Sequence, residues 1–334
     1  MRMGKIIKYS GIIILSALIL SLISVSCLFI GKAPKAEKIT WGVNFAQNQA
    51  EILGLDWKEN YLALLDDLKV KNIKLINYWD IIESEKDEFY FDDLDWQIRE
   101  AENRGAKLIL VIGMKTGRWA ECHIPEWAKN LSKEKQQERI LTLLEKTVLR
   151  YKNSPAIWAW QVENEPLFSF GECPWIDENF LKQEIELVRS LDERPIIISN
   201  SGEFSLWIKS AELGDIVGTT LHRRAWFKEL KTYINYPFPP VYYWRRAQLI
   251  SKIFNKEVIC VELQAEPWGQ KLLPDVSLEE QLKTMNLELF KENVEFAKKT
   301  GLDTFYLWGV EWMYWMKGKQ GRPEIWEEAK KLFQ

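Results

Sequence analysis

The sequence predicts one α/β domain, a closed (β/α)8 barrel of the TIM-barrel class, preceded by an apolar N-terminal segment. Three observations predict it. Short runs rich in Ile and Val alternate with longer stretches whose apolar residues recur at helical spacing, the pattern of a parallel sheet wrapped by helices. Eight such strand–helix units follow one another with no Gly/Ser-rich break, and 334 residues suit one large barrel better than two complete domains. An open doubly wound sheet is the rival, but no G-x-G-x-x-G follows the first strand.

In chain order, Arg2, Lys5 and Lys8 precede residues 11–30, where no charge appears before Lys32. That stretch is long enough to span a bilayer, and the first reading is an uncleaved anchor. The second is a lipoprotein-type signal ending at Cys27, with Ser24, Val25 and Ser26 ahead of it. Either reading exports the domain and tethers it at the cell surface. Lys32, Lys35 and Lys38 balance the positive tail, so a cytoplasm-facing orientation stays open as the third. The expected organisation is an anchor or signal over 1–31, a linker over 32–38 and the barrel over 39–334.

Strands are expected at 39–44, 73–77, 107–113, 156–161, 196–199, 216–220, 258–262 and 304–308. Helices are expected at 57–70, 93–104, 134–151, 178–191, 241–254 and 278–299. Ser277 with Glu280 forms a capping box before the last of these, and Pro323 stands at the first turn of a final helix. Trp158 and Trp160, two apart on a strand, are expected to pack on one face.

Composition excludes several functions. Lys+Arg 45 against Asp+Glu 48 leaves a net charge of −3, with no basic field to hold nucleic acid. Two His and four Cys, with no C-x-x-C pair and no H-E-x-x-H, give almost nothing to build a metal site from, and no cofactor is expected. The 17 Trp are unusual, and some should do more than fill the core.

In such a barrel the chemistry sits where strands end. There the sequence places Asn44 after the first strand, Trp79 after the second, Lys115, Arg118 and Trp119 after the third, and Glu163, Asn164 and Glu165 after the fourth. His222 follows the sixth, Glu262 and Gln264 the seventh, and Trp308 the eighth. Strands four and seven lie on opposite sides of the barrel, so Glu165 and Glu262 can face each other across its mouth. Carboxylates about 5–5.5 Å apart perform retaining hydrolysis of a glycosidic bond, one as acid and one as nucleophile.

Asn164-Glu165-Pro166 after strand four, Glu262 ending strand seven and Trp308 ending strand eight resemble glycoside hydrolase clan A, the barrels that include family 5 cellulases and mannanases and family 42 β-galactosidases. The resemblance runs from about residue 39 to the end. It implies a retaining β-glycosidase acting on carbohydrate, with Glu165 as general acid/base and Glu262 as nucleophile. It further implies that Asn164 donates to the sugar 2-hydroxyl, that Trp308 is a sugar platform and that His222 lies at the rim. Residues 113–119, with Lys115, Arg118 and Trp119, resemble a loop that helps form the sugar pocket. Asn44, Trp79 and Gln264 are further expected contacts. Clan members usually carry an Arg on strand two that bonds the nucleophile; here Lys74 holds that place, a cation without the two-pronged donor. Glu266 is a second candidate nucleophile, and Glu262 is preferred because it directly ends an apolar strand.

Blander readings stand beside these. Asn164-Glu165-Pro166 alone is compatible with a turn, Glu163 with a structural carboxylate, Trp308 with a core indole and Arg118 with a surface ion pair. Two rival functions remain, a non-catalytic carbohydrate-binding barrel and a transglycosylase using the same carboxylates. Cys122 and Cys173 follow neighbouring strands, so a disulfide between them is expected in an oxidising compartment, while Cys260 reads as a buried apolar residue.

Overall fold

A computed structural model describes Ser26, residues 28–228 and residues 230–334. The expected anchor over 11–30 and the lipidation alternative at Cys27 lie almost wholly outside these residues. Among the described residues no helix is long and apolar enough to cross a membrane.

The chain runs β1 (Thr40–Phe45), α1 (Gln47–Ile52), α2 (Trp57–Asp66), β2 (Asn72–Ile76), α3 (Trp79–Ile82), α4 (Asp92–Asn103), β3 (Lys107–Ile112), α5 (Lys133–Tyr151), β4 (Ile157–Val162), α6 (Glu178–Leu191), β5 (Ile196–Asn200) and α7 (Ile208–Leu213). It continues with β6 (Ile216–Leu221), β7 (Arg224–Phe227), β8 (Thr232–Asn235), α8 (Pro240–Phe254), β9 (Glu257–Gln264), α9 (Leu278–Gln281), α10 (Leu287–Lys298), β10 (Thr304–Trp308), α11 (Val310–Lys319) and α12 (Glu324–Lys330). Strands β1 to β6, β9 and β10 close into a barrel in which every pair is parallel, with β10 against β1. The eight expected strands are these eight. Strands β7 and β8 form an antiparallel hairpin inserted between β6 and α8.

Apolar residues form two layers. A small cluster inside the barrel holds Ile109, Ala159, Ile197, Ile259, Val261 and Tyr306, while a much larger one fills the space between sheet and helices. Gly42 makes room for the inner cluster: a Cβ there would stand 2.6 Å from the Tyr306 ring.

Helix starts follow local chemistry. Asp56 accepts from Lys58 N and Glu59 N ahead of α2, and Asp177 does the same for Asn179 N and Phe180 N ahead of α6. The helix expected over 57–70 stops at Asp66, because Lys69 turns left-handed at φ 63° and the N–H of Val70 bonds back to Leu64. The helix expected over 278–299 is two. Ser277 caps the short α9 through Glu280 N, and then Asn286 accepts from Leu289 N and starts α10 afresh, so the capping box opens one turn only.

Two β-bulges break simple alternation. In β4, Leu108 pairs with Ile157 but Ile109 pairs with Ala159, so Trp158 is an extra residue. Trp158 consequently packs against the inner cluster while Trp160 is buried in the outer one, not on the single face expected. In β9, Thr219 pairs with Cys260 and Thr220 with Glu262, and β10 shows the same one-residue slip. Alternation alone would turn Glu262 outward with Cys260; the extra residue brings it inward after Val261.

Candidate active site

Lys74, at the middle of β2, is fully buried and points into the barrel. Its Nζ donates to Glu262 Oε1 at 2.7 Å and to Asn164 Oδ1 at 3.1 Å, joining residues from β2, the end of β4 and β9 across the interior. Glu262 is 6% exposed. Burial pushes its carboxyl up, but the Lys74 ammonium and neighbouring charges outweigh that and hold it below the usual carboxylate range. Its second oxygen lies 3.9 Å from His222 Nε2.

Asn164 Oδ1 also accepts from Gln161 Nε2 at 3.0 Å, with Ser199 Oγ at 3.4 Å. The oxygen side of this amide is saturated, which fixes its orientation and leaves Nδ2 as the end available to a ligand. Glu165 follows in a left-handed conformation at φ 45°, its N–H donating to Ser199 Oγ at 2.8 Å and its carbonyl accepting from Lys115 Nζ at 3.1 Å. Its Oε1 lies 3.4 Å from Thr220 Oγ1, and Thr220 is the register partner of Glu262. Burial first, then the charges of Glu262 and Glu121, push the Glu165 carboxyl up to about 8. One carboxyl is thus held protonated and one ionised in the same mouth.

His222 stands edge-on to Trp268 and Trp308, ring centroids 4.7 and 5.3 Å away. Burial pulls it down to about 4, so the imidazole is neutral at neutral pH. Trp308, half-buried, carries the Arg118 guanidinium over its ring at 4.6 Å. Arg118 is no surface residue: it pairs with Glu266 and, at 2.7 Å, with Glu311, all three buried. That pairing occupies one oxygen of Glu266, the other candidate nucleophile. Trp119, 48% exposed, stands on the rim edge-on to Phe170.

Several expected sugar contacts are corrected. Trp79 is fully buried at the start of α3, its Nε1 donating to Glu83, because the helix begun there turns it into the core. Lys115 Nζ is taken up by the carbonyls of Glu165 and Phe168, so this residue braces the loop after β4. Asn44 Nδ2 donates to the Val261 carbonyl across the barrel, and Gln264 bonds the N–H groups of Arg223 and Arg224 and roots the β7–β8 hairpin. All four face protein partners. Glu163 accepts from Met114 N and Lys115 N and holds the loops after β3 and β4 together, the structural part that the blander reading gave it. Cys122 and Cys173 are joined by a disulfide, and Cys260 is buried and free.

Sequence reasoning missed Gln161 and Ser199, which fix Asn164, and Trp268 beside His222. The inward alternation of β4 signals Gln161; nothing local signals the others.

No family model matches the chain. A curated relative, mannan endo-1,4-beta-mannosidase A of Podospora anserina, is 34% identical over 122 residues, which cover 34% of this chain and 32% of the relative. The match therefore spans about a third of that enzyme's length. Among solved structures, native xylanase 10B of Thermotoga maritima superposes with a TM-score of 0.59 at 14% identity, covering 88% of this chain and 95% of the xylanase. A GH5_18 protein of Streptomyces cattleya in complex with GlcNAc gives 0.58 at 13% identity, covering 82% and 70% of the two chains. A family 10 endo-beta-1,4-xylanase of Gloeophyllum trabeum gives 0.59 at 15% identity over 90% and 98%. The chain resembles clan A glycoside hydrolases. At these identities the structural likeness is one of fold, the eight-stranded parallel barrel that clan A shares.

Proposed function

We propose that the protein is a retaining β-glycosidase acting on oligo- or polysaccharide. The observation that carries this reading is geometric: Lys74 Nζ joins Glu262 to Asn164, and the neighbouring Glu165 has its Oε1 3.4 Å from Thr220, the register partner of Glu262; burial and charge push the two carboxyls in opposite directions, Glu262 down and Glu165 up to about 8. In the first step Glu262 attacks the anomeric carbon, the glycosidic C–O bond breaks and Glu165 gives its proton to the leaving oxygen. In the second, Glu165 as carboxylate takes a proton from water, the water oxygen attacks the same carbon and Glu262 leaves as carboxylate. Asn164 Nδ2 is directed at the sugar 2-hydroxyl and Trp308 lies under the ring. Lys74 takes the nucleophile-positioning part that Arg plays elsewhere, as a point charge.

Export is part of the proposal, with the domain tethered through its N-terminal segment, and the Cys122–Cys173 disulfide supports it because such bonds persist in oxidising compartments.

Labelling with an activated 2-deoxy-2-fluoro-β-glycoside, read by peptide mass spectrometry, tests the assignment, and the label should fall on Glu262. Glu165→Ala should cripple poor leaving groups while an activated aryl β-glycoside is rescued by azide, and Glu262→Ala should abolish both. Mild, equal losses in the two variants would sink the assignment of the two carboxylates, and sugar binding with neither label nor turnover would leave the binding barrel.

A further inference from the structure

The proposed tether meets the domain at a definite place. Residues 11–30 carry no charge, and the last of them pack on the barrel's outside. Leu28 lies against the outer core, the Phe29 ring stacks on Tyr242 and Phe238 with centroids 5.2 and 6.3 Å away, and the Ile30 carbonyl accepts from Arg245 at 3.5 Å. Phe238, Tyr242 and Arg245 stand at the start of α8, a helix that follows β6 and its hairpin and leads down to β9, so its start lies at the mouth end of the barrel. From there the chain descends. A Cβ on Gly301, ahead of β10, would stand 2.9 Å from the Pro34 carbonyl, and Thr40 N donates to the Asp303 carbonyl at 2.7 Å where β1 begins, at the opposite end, the floor. The linker therefore runs down the outside of the barrel from mouth to floor, and the apolar segment joins the domain at its mouth end.

The same end carries apolar side chains that the fold leaves in water. Leu206 and Phe204, on the loop after β5, are 73% and 57% exposed, and Ile30 is 68% exposed. Arg246 links the two places: it donates to the carbonyls of Gly202 and Ser205 and lies 4.7 Å over the Tyr242 ring, on which Phe29 stacks. Phe204 lies parallel to Phe168, centroids 5.9 Å apart, and edge-on to Tyr236 at 5.5 Å, and the N–H of Phe168 bonds the Glu165 carbonyl, so the patch borders the mouth. Residues 201–208 hold one charge, Glu203, which is buried and bonded by the Tyr243 hydroxyl and the His222 N–H. Arg245 and Lys32, beside Ile30, are exposed cations. Exposed apolar side chains without charge, edged by cations, suit a bilayer interface, where apolar groups enter the headgroup boundary by about 5–10 Å and cations meet lipid phosphates.

We propose that Phe204, Leu206 and Ile30 form the face on which the domain sits on a lipid bilayer, so that the barrel mouth opens along the membrane surface and not away from it. The inference rests on the tether proposed above and is independent of the roles of Glu165 and Glu262. A domain tethered through its floor would hold its mouth away from the lipid; here the course of the linker and the apolar rim turn it the other way. The glycans within its reach are then those held at the bilayer surface.

The test uses the full chain reconstituted in nanodiscs of phosphatidylcholine and phosphatidylglycerol. A bimane label is attached at Leu206→Cys or, as the reference, at Ile253→Cys, an exposed position at the floor end of α8. Both proteins also carry Cys27→Ser; Cys260 is buried and Cys122 and Cys173 are bonded to each other, so a single thiol reacts. Lipids bearing a nitroxide at headgroup level should quench the label at 206 several-fold more than the label at 253, and the emission from 206 should shift to the blue in the discs. Quenching that is equal at the two positions, stronger at 253 or absent from both, in protein that elutes with the discs, would overturn the docking face and leave the tether standing. Protein that does not elute with the discs would overturn the tether and the docking face together. Turnover of an aryl β-glycoside by the same samples reports on the glycosidase reading separately.

Discussion

Replacing Lys74 by Met probes Glu262, the proposed nucleophile, through the cation that bonds it. Lys74 Nζ stands 2.7 Å from Glu262 Oε1, with side-chain exposures of 0% and 8%, so solvent screens the pair little. Truncating one partner of such a buried pair costs about 3–5 kcal/mol. If Glu262 avoids that cost by binding a proton, the acid limb of the kcat/KM profile moves up by about 2–4 pH units, at 1.36 kcal/mol each. The Glu262 charge is part of what raises Glu165, so the two limbs are coupled: the alkaline limb should move less than the acid limb, and the bell should narrow chiefly from the acid side. Stability should follow with a worked sign. In the wild type the Glu262 carboxyl is depressed, so its contribution is present at neutral pH and lost as pH falls. In Lys74→Met the carboxyl is raised, so the variant should be firmer at pH 5 than at pH 7. The assay is the pH dependence of kcat/KM on an aryl β-glycoside, with urea unfolding at both pH values and Lys74→Arg as the charge-keeping control. An acid limb that does not move in Lys74→Met would refute the pairing as the source of Glu262's ionisation.

The alkaline limb belongs to Glu165: turnover of substrates with poor leaving groups should fall as pH rises through about 8, and Glu165→Gln should erase that limb for an activated aryl glycoside; a limb that persists assigns it to another group. Cys122 and Cys173 close a loop with a sequence separation of 51, worth about 4 kcal/mol in the chain-entropy model. The Cys122→Ser/Cys173→Ser protein should lower the urea midpoint accordingly, and dithiothreitol should then have no further effect on it. Arg118→Met leaves Glu266 and Glu311 buried without their cation, a loss of about 3–5 kcal/mol in thermal unfolding. Adding Glu266→Gln should recover part of it, and a double variant no firmer than the single one would show that charge is not the cause.

Much of the architecture is written locally. Short apolar runs rich in Ile and Val, bounded by polar residues, give the eight barrel strands, and the rule that chemistry gathers at strand ends selects Asn164, Glu165, His222, Glu262 and Trp308, all of which stand around one mouth. Asp56, Asp177 and Ser277 signal helix starts because an N-cap needs only its own next three residues. The hairpin of β7 and β8 escaped, since Arg224–Phe227 and Thr232–Asn235 are short and lack clean alternation.

Being at a strand end does not say which partner a side chain finds, and there the tertiary structure decided. Trp79, Lys115, Asn44 and Gln264 sit at the right positions yet are taken up by protein groups, because hydrogen-bond satisfaction depends on loops that meet only after folding. The one-residue slips in β4 and β9 are likewise invisible, as a bulge is a property of two paired strands and not of either alone. The contact of Lys74 with Glu262, 188 residues apart, and the gathering of Phe168, Phe204 and Tyr236 follow from closure of the barrel. The sequence by itself determined which elements form and which end of the barrel holds the polar residues. Their pairing and their protonation came from burial and long-range proximity, which no local pattern encodes.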